Sequence, residues 1–233
     1  MPESTWVKDN DNSQKNDTVY KWIRENKQTV WSIIAIIIAA IIIAIVIFIN
    51  LSKNKETAEK YYFVAQQYYA AGKMDEALEQ LDIIEKNFSK YPSGDFARLL
   101  KGDIYFTNGN YPKALEAYVN ASKKISNKEL VPFASYSISK TYQALKDYDK
   151  AIPMFNTFVN EYPDHYLTPE VYMSLAISYE TKEQTDLAKE TYQKITILYP
   201  QTQWESIAKE ALKKYESKST VSQSSNTHTK VKK

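Results

Sequence analysis

The chain contains no cysteine. That excludes disulfides, thiolate nucleophiles and Cys-ligated metals, and also the lipidated cysteine that anchors a bacterial lipoprotein. Glycine is nearly as scarce, with 4 among 233 residues. A sequence so poor in the usual turn and bulge residue does not build a β-rich fold, and its wealth of Ala, Leu, Glu, Lys and Tyr points to an all-α protein. Histidine occurs only at His165 and His228, with no metal-ligand spacing, so neither a metal nor any other cofactor is expected. Gly72, Gly94, Gly102 and Gly109 each stand alone in helical context and assemble no phosphate loop. The carboxylates sit on helix faces with lysines nearby, as in Asp186, Lys189 and Glu190, which reads as a solvated surface. The chain reads as a binding protein and not as an enzyme.

Charge of one sign is also missing. The net charge is +2, with basic and acidic residues balanced over 1–29 and four lysines and no acid in 217–233. The rest is left slightly acidic, which gives no footprint for a phosphate backbone and excludes nucleic acid as a partner.

What is present begins with one apolar run. Residues 30–49 read VWSIIAIIIAAIIIAIVIFI, without a charge. At about 1.5 Å per residue they span about 30 Å, the thickness of a bilayer's hydrocarbon core. So much Ile would favour a strand in water, but a lone strand in lipid leaves its backbone groups unpaired, and a helix is expected. The run is too long for a signal-peptide core, and its exit at Phe48, Ile49, Asn50 and Leu51 lacks a small-x-small cleavage pattern. An uncleaved single-pass transmembrane helix over 30–50 is therefore expected, with Trp31 at its aromatic belt. Lys21, Arg24 and Lys27 precede it while Lys53, Lys55 and Lys60 follow, so the positive-inside rule chooses no side. Ala35/Ala39 and Ala40/Ala44 are small pairs at helical spacing, read either as ordinary lipid-facing residues or as a helix–helix contact, and self-association stays open.

Beyond the run the chain repeats itself every 37 residues. Ala77, Ala114, Ala151 and Ala188 keep this interval, as do Tyr68, Tyr105, Tyr142 and Tyr179. So do the small residues Ala65, Gly102, Ser139 and Ala176, and the large ones Leu81, Tyr118, Phe155 and Tyr192. Small residue and Tyr lie three apart on one face of a first helix; Ala and its large partner lie four apart on one face of a second. Short turns around Gly72, Gly109, 146–149 and 183–186 separate them, so each unit is a helix hairpin. Hairpins are expected at about 55–90, 93–127, 131–163 and 168–200, with a capping helix at 203–216 completing a repeat domain over 51–216. Residues 1–29 form a short polar segment, disordered in part, and 217–233 a disordered tail. No Pro or Gly interrupts the chain between Ile49 and Ala71, so the apolar helix is expected to run into the first repeat helix.

The strings GNYPKALEAY at 109–118 and DYDKAIPMF at 147–155 resemble the tetratricopeptide repeat, where a small residue, a Tyr, an Ala, an aromatic and a closing Pro recur in this order. Pro163 and Pro200 match the closing Pro, whereas Ser89 and Ser126 stand there in the first two units. The family's usual period is about 34; the extra residues fall in linkers such as YPDHYLTP at 162–169. Such linkers are similar to those of bacterial envelope repeat proteins, including outer-membrane assembly lipoproteins and cell-division coordinators. The likeness covers 55–216 and implies an α-solenoid whose first helices line a concave groove. Carried over by register, the groove residues are Tyr62, Gln66, Tyr69, Phe96, Leu99, Asp103, Phe106, Phe133, Tyr136, Lys140, Gln143, Met173 and Ile177. Two readings stand for these side chains: anchors for an extended or helical segment of a partner, or packing against the next hairpin. The family's clamp for acidic chaperone tails is absent, since Gln66, Asp103, Lys140 and Ile177 fill its central column.

The order of parts is similar to the ancillary subunit of the bacterial SecYEG translocon, and the stretch WIRENK at 22–27 looks like that family's approach to the membrane. This resemblance implies a single-pass inner-membrane protein with a periplasmic repeat domain, a chaperone-like scaffold that helps envelope proteins to be secreted or assembled, with the translocon or a periplasmic chaperone as partner. An envelope or cell-division scaffold, and a cytoplasm-facing membrane adaptor, are the alternatives.

Overall fold

The computed structural model describes residues 20–228, and among them no strand occurs. Two compact units divide at Glu56 and Thr57. In the first, residues 20–25 form a short helix, α1, and helical backbone resumes at α2, Lys27–Ala70. Every residue from 31 to 51 is exposed. This helix is long and apolar enough to cross a membrane. Nothing between Lys27 and Ala70 can break it, because the first glycine after the run is Gly72 and no proline intervenes.

The second unit is a run of antiparallel helix pairs. The end of α2 pairs with α3 (Met74–Asn87), α4 (Pro92–Thr107) with α5 (Tyr111–Lys124), α6 (Val131–Ala144) with α7 (Tyr148–Glu161), and α8 (Thr168–Thr181) with α9 (Thr185–Leu198). A 3-10 turn, Lys128–Leu130, leads into α6, and α10, Gln203–His228, follows the last hairpin. From α3 to α10 each helix packs on its chain neighbours, and the end of α2 shares a core cluster with α3 and α4, the arrangement of an α-solenoid. Helical backbone continues to His228 where a disordered tail from residue 217 was expected, since no Gly or Pro interrupts 203–228. The expected disorder of residues 1–19 lies outside the described residues, as do 229–233.

The repeated columns build the core. Ala77, Ala114, Ala151 and Ala188 are fully buried, and so are Leu81 and Phe155. Ala at these positions lets the paired helices close up, and burying a Leu or Phe side chain beside them stabilises by about 1.5–3 kcal/mol. The turns repeat as closely. Gly72 and Gly109 hold φ of +74° and +73°, and the residues at the same register, Lys146 and Glu183, hold 61° and 60°. One residue further, the N–H groups of Lys73, Asn110, Asp147 and Gln184 donate at 2.9 Å to the carbonyls of Tyr68, Tyr105, Tyr142 and Tyr179. A left-handed residue followed by this back-bond caps a helix C-terminus, so the tyrosine column marks where each first helix stops.

Closing prolines and their substitutes differ in mechanism. Pro163 and Pro200 end the third and fourth hairpins. Where Ser89 and Ser126 replace them, a buried ion pair takes over: Arg98 Nη1 donates to Asp95 Oδ1 at 2.7 Å and Nη2 to the Ser89 carbonyl at 2.9 Å. The other oxygen of Asp95 accepts from Ser126 N at 2.9 Å, Ser126 Oγ at 2.8 Å and Asn127 N at 3.0 Å. Two residues of α4 thus hold the linkers on both sides of the second hairpin. Asp95 departs from the solvated-carboxylate expectation for that reason, with 2% of its surface exposed.

Candidate protein-binding face

The expected groove residues fall on one face of successive first helices. Tyr62, Gln66 and Tyr69 lie on α2; Phe96, Leu99, Asp103 and Phe106 on α4; Phe133, Tyr136, Lys140 and Gln143 on α6; Met173 and Ile177 on α8. Their period of three and four keeps them in register along the unit.

Much of this face is tied from hairpin to hairpin. The Tyr62 ring lies 5.9 Å from the Phe96 ring, and the Tyr69 hydroxyl is 2.8 Å from Thr107 Oγ1. Tyr136 donates its hydroxyl proton to Glu170. Lys140 Nζ donates to Ser174 Oγ at 3.4 Å, and Gln143 Nε2 to the Ser174 carbonyl at 2.8 Å and Ser178 Oγ at 2.9 Å. Phe133 packs edge-on to His165 at 5.4 Å and against Tyr166 at 5.8 Å, so the linker histidine has an aromatic setting. Tyr136, Gln143 and Phe133 therefore pack against the linker and first helix of the next hairpin while staying half-buried. Met173 departs further from the expectation. It is 8% exposed and packs with Tyr192, Ile195, Ala208 and Ala211, because α10 covers the end of the unit and its core takes this side chain.

What remains open is a mixed strip. Gln66 is exposed, its Nε2 3.4 Å from the Tyr62 hydroxyl. Phe96 and Ile177 are 39% and 44% exposed, while Leu99, Asp103 and Phe106 are half-buried. Phe106 is steadied by an edge contact with Tyr111 at 5.2 Å. The strip offers apolar surface of the kind that anchors a peptide, with polar groups between to set its register.

The charges on this face are tuned by burial. Desolvation raises the Asp103 carboxyl above its ordinary value, opposed by a 2.5 Å hydrogen bond from the Tyr118 hydroxyl. Burial, and then the Asp103 charge, raise Tyr62 and Tyr118 above the usual phenol range. Tyr136 is raised likewise by burial and its bond to Glu170. Burial lowers the Lys140 ammonium, with Glu170 opposing. These groups form carboxylate–phenol and lysine–hydroxyl pairs between helices. No nucleophile, base and oxyanion donor converge in them.

Sequence reasoning did not find Asp95 and Arg98, nor the polar row Glu170, Ser174 and Ser178 that receives Tyr136, Lys140 and Gln143. The signal for the first pair was the serine at both positions where the repeat asks for a closing proline. For the row it was the presence of three polar residues at helical spacing on the first helix of the fourth hairpin. Among the described residues no cluster of His, Asp and Glu could hold a metal ion. A cleft of about 290 Å³ is lined by Glu85, Arg98, Lys101 and Lys113 among others. Its central Lys101 is already held by Asp82 at 2.6 Å and Glu85 at 2.9 Å.

A family model described as a tetratricopeptide repeat-like domain matches residues 20–194, beginning ahead of the apolar run and ending within α9. Among solved structures, residues 41 to the end of MamA from Desulfovibrio magneticus RS-1 are 23% identical, with a TM-score of 0.51 over 62% of this chain and 77% of that one. A tetratricopeptide repeat protein from Parabacteroides merdae is 18% identical, with a TM-score of 0.59 over 70% of this chain and 61% of its own. The apo form of RapI is 17% identical, with a TM-score of 0.61 over 67% of this chain and 47% of its own. At these identities the likeness is one of fold.

Proposed function

The chain belongs to the tetratricopeptide repeat-like family, and on that premise we propose that it is a membrane-anchored scaffold whose hairpins hold segments of other proteins. Repeat scaffolds of this kind are suited to protein–protein interaction. The carrying observation is the strip formed by Gln66, Phe96, Leu99, Phe106 and Ile177, in which Gln66, Phe96 and Ile177 are exposed and Leu99 and Phe106 half-buried. An extended or helical client segment would bury its own side chains there.

The anchor is the apolar part of α2. Its isoleucines are exposed among the described residues, and a bilayer is the solvent that suits them. In the proposed setting the repeat unit is periplasmic and stands near the translocon, assisting envelope proteins as they emerge. The likeness in the order of parts is what supports that setting.

The test is photocrosslinking in native membranes from Phe106, followed by identification of the adducts, with protease protection of the C-terminal end to fix the side. Adducts with translocon subunits or emerging envelope proteins, and protection in inverted inner-membrane vesicles, are the expected results. Adducts confined to cytoplasmic proteins would replace this reading with that of a cytoplasm-facing adaptor; adducts with division proteins would make it an envelope organiser.

A further inference from the structure

The fourth hairpin breaks the surface rule of the other three. On α9 the outward stripe Leu187, Glu190, Lys194 and Ile197 recurs at helical spacing, with Leu198 beside it. Leu187 is 43% exposed, Leu198 52% and Ile197 75%. At the register of Leu187 the earlier hairpins carry Glu76, Lys113 and Lys150; at that of Ile197 they carry Lys86, Lys123 and Asn160; at that of Leu198, Asn87, Lys124 and Glu161. Nine polar positions in three hairpins become three large aliphatic ones in the fourth. The fold does not require the change, since the same helix pair forms with polar residues there.

The stripe is also its own complement. Leu187 and Ile197 lie equally far on either side of residue 192, and so do Glu190 and Lys194, which form an ion pair of 3.0 Å within the helix. If a second α9 is laid antiparallel across the first with the two-fold axis at residue 192, Leu187 of one copy meets Ile197 of the other and Glu190 of one meets Lys194 of the other. Leu187 and Ile197 then cover one another at both ends and Glu190 pairs with Lys194 twice across the axis, while Leu198 falls at the rim beside Asp186. An isologous interface demands this self-complementarity, and charge matching around an apolar contact fixes its register.

We propose that the outer face of α9 is a homodimer interface, in which two copies of this chain pack α9 antiparallel about a two-fold axis at residue 192. One helix pair lies at the low end of interface sizes, so association is expected to be readily reversible. The dimer leaves the first-helix strip free, since α9 is a second helix.

The absence of cysteine makes the test direct. Full-length Leu187→Cys and Ile197→Cys chains, mixed in detergent and mildly oxidised, are expected to form the mixed disulfide, while each alone forms little. Leu187→Lys with Ile197→Asn, which installs the residues that the third hairpin carries at the same registers, is expected to weaken dimerisation at least tenfold by sedimentation, with its helical circular dichroism unchanged. Glu190→Lys and Lys194→Glu are each expected to weaken self-association, and a mixture of the two chains to restore it. A parent chain that remains one copy per micelle at about 100 μM overturns the proposal. So does a dimer indifferent to these substitutions, or one in which either cysteine variant crosslinks with itself as readily as with the other.

Discussion

The Asp95 carboxylate accepts the backbone N–H of Ser126 at 2.9 Å, at the register where the third and fourth hairpins place Pro163 and Pro200. A proline at 126 could not donate that bond. The second hairpin is therefore closed by a buried ion pair that needs a non-proline residue, and its departure from the repeat pattern is part of how it is held. Ser126→Pro, although it restores the family's residue, is expected to lower stability by about 1–3 kcal/mol. Arg98→Met, which leaves Asp95 buried without its counter-charge, is expected to cost about 3–5 kcal/mol. Chemical denaturation monitored by circular dichroism reads both.

The left-handed turns give a prediction of the opposite sign. Gly72 and Gly109 adopt positive φ at no steric cost, whereas Lys146 and Glu183 carry a Cβ in the same conformation. A side chain there costs roughly 1–2 kcal/mol, offset in part by glycine's greater freedom in the unfolded chain. Lys146→Gly and Glu183→Gly should each raise stability by up to about 1 kcal/mol, seen as a higher thermal midpoint. Gly109→Ala should lower it.

Gly102 answers to a particular ring. A Cβ there would sit 2.3 Å from Tyr118 Cε1, because the Tyr118 ring lies over Gly102 to deliver its hydroxyl to Asp103 at 2.5 Å. In the fourth hairpin the equivalent pair is Ala176 and Tyr192, and Tyr192 donates instead to Glu180 at 2.9 Å. Gly102→Ala is expected to cost about 1–3 kcal/mol by displacing the ring. In a Tyr118→Leu background, which copies the Ala65 and Leu81 pairing of the first hairpin, the penalty should shrink, and a double-mutant cycle measures the difference.

Asp103 makes the stability depend on pH. Burial raises its carboxyl above the ordinary 3.8, with the Tyr118 hydrogen bond opposing. A carboxyl raised on folding contributes stability below its unfolded value, and that contribution is lost as pH rises through the folded value. Asp103→Asn, which keeps an acceptor for Tyr118, is expected to be more stable than the parent at pH 7 and to lose the advantage below about pH 4. Denaturant midpoints across that range check it.

The repeat was legible because a hairpin recurring at fixed period leaves columns: Ala77 and its three equivalents are buried where the spacing puts them. Turns at Gly72 and Gly109 could be read from composition, but the same shape at Lys146 and Glu183 is visible only through register. Asp95 was hidden because, beyond Arg98 in its own helix, the groups it holds lie more than thirty residues away, at Ser126 and Asn127. Met173 was placed in the groove because register assumes a similar neighbour on each side; α10 follows the fourth hairpin instead, and its alanines make room for the side chain. For Tyr136 and Gln143 the register left packing and binding both open, and nothing in their own helix says that Glu170, Ser174 and Ser178 would occupy them.

Binding of another protein along the open strip of the first helices can be tested in membranes that contain the full-length chain. A photoreactive side chain is placed in turn at Leu99, Phe106 and Ile177 on the strip, and at Glu79 and Glu116 on second helices. The strip positions should yield discrete adducts with proteins other than this chain, and the second-helix positions little. Equal yields from both faces, or none from the strip, would rule the strip out as the binding surface.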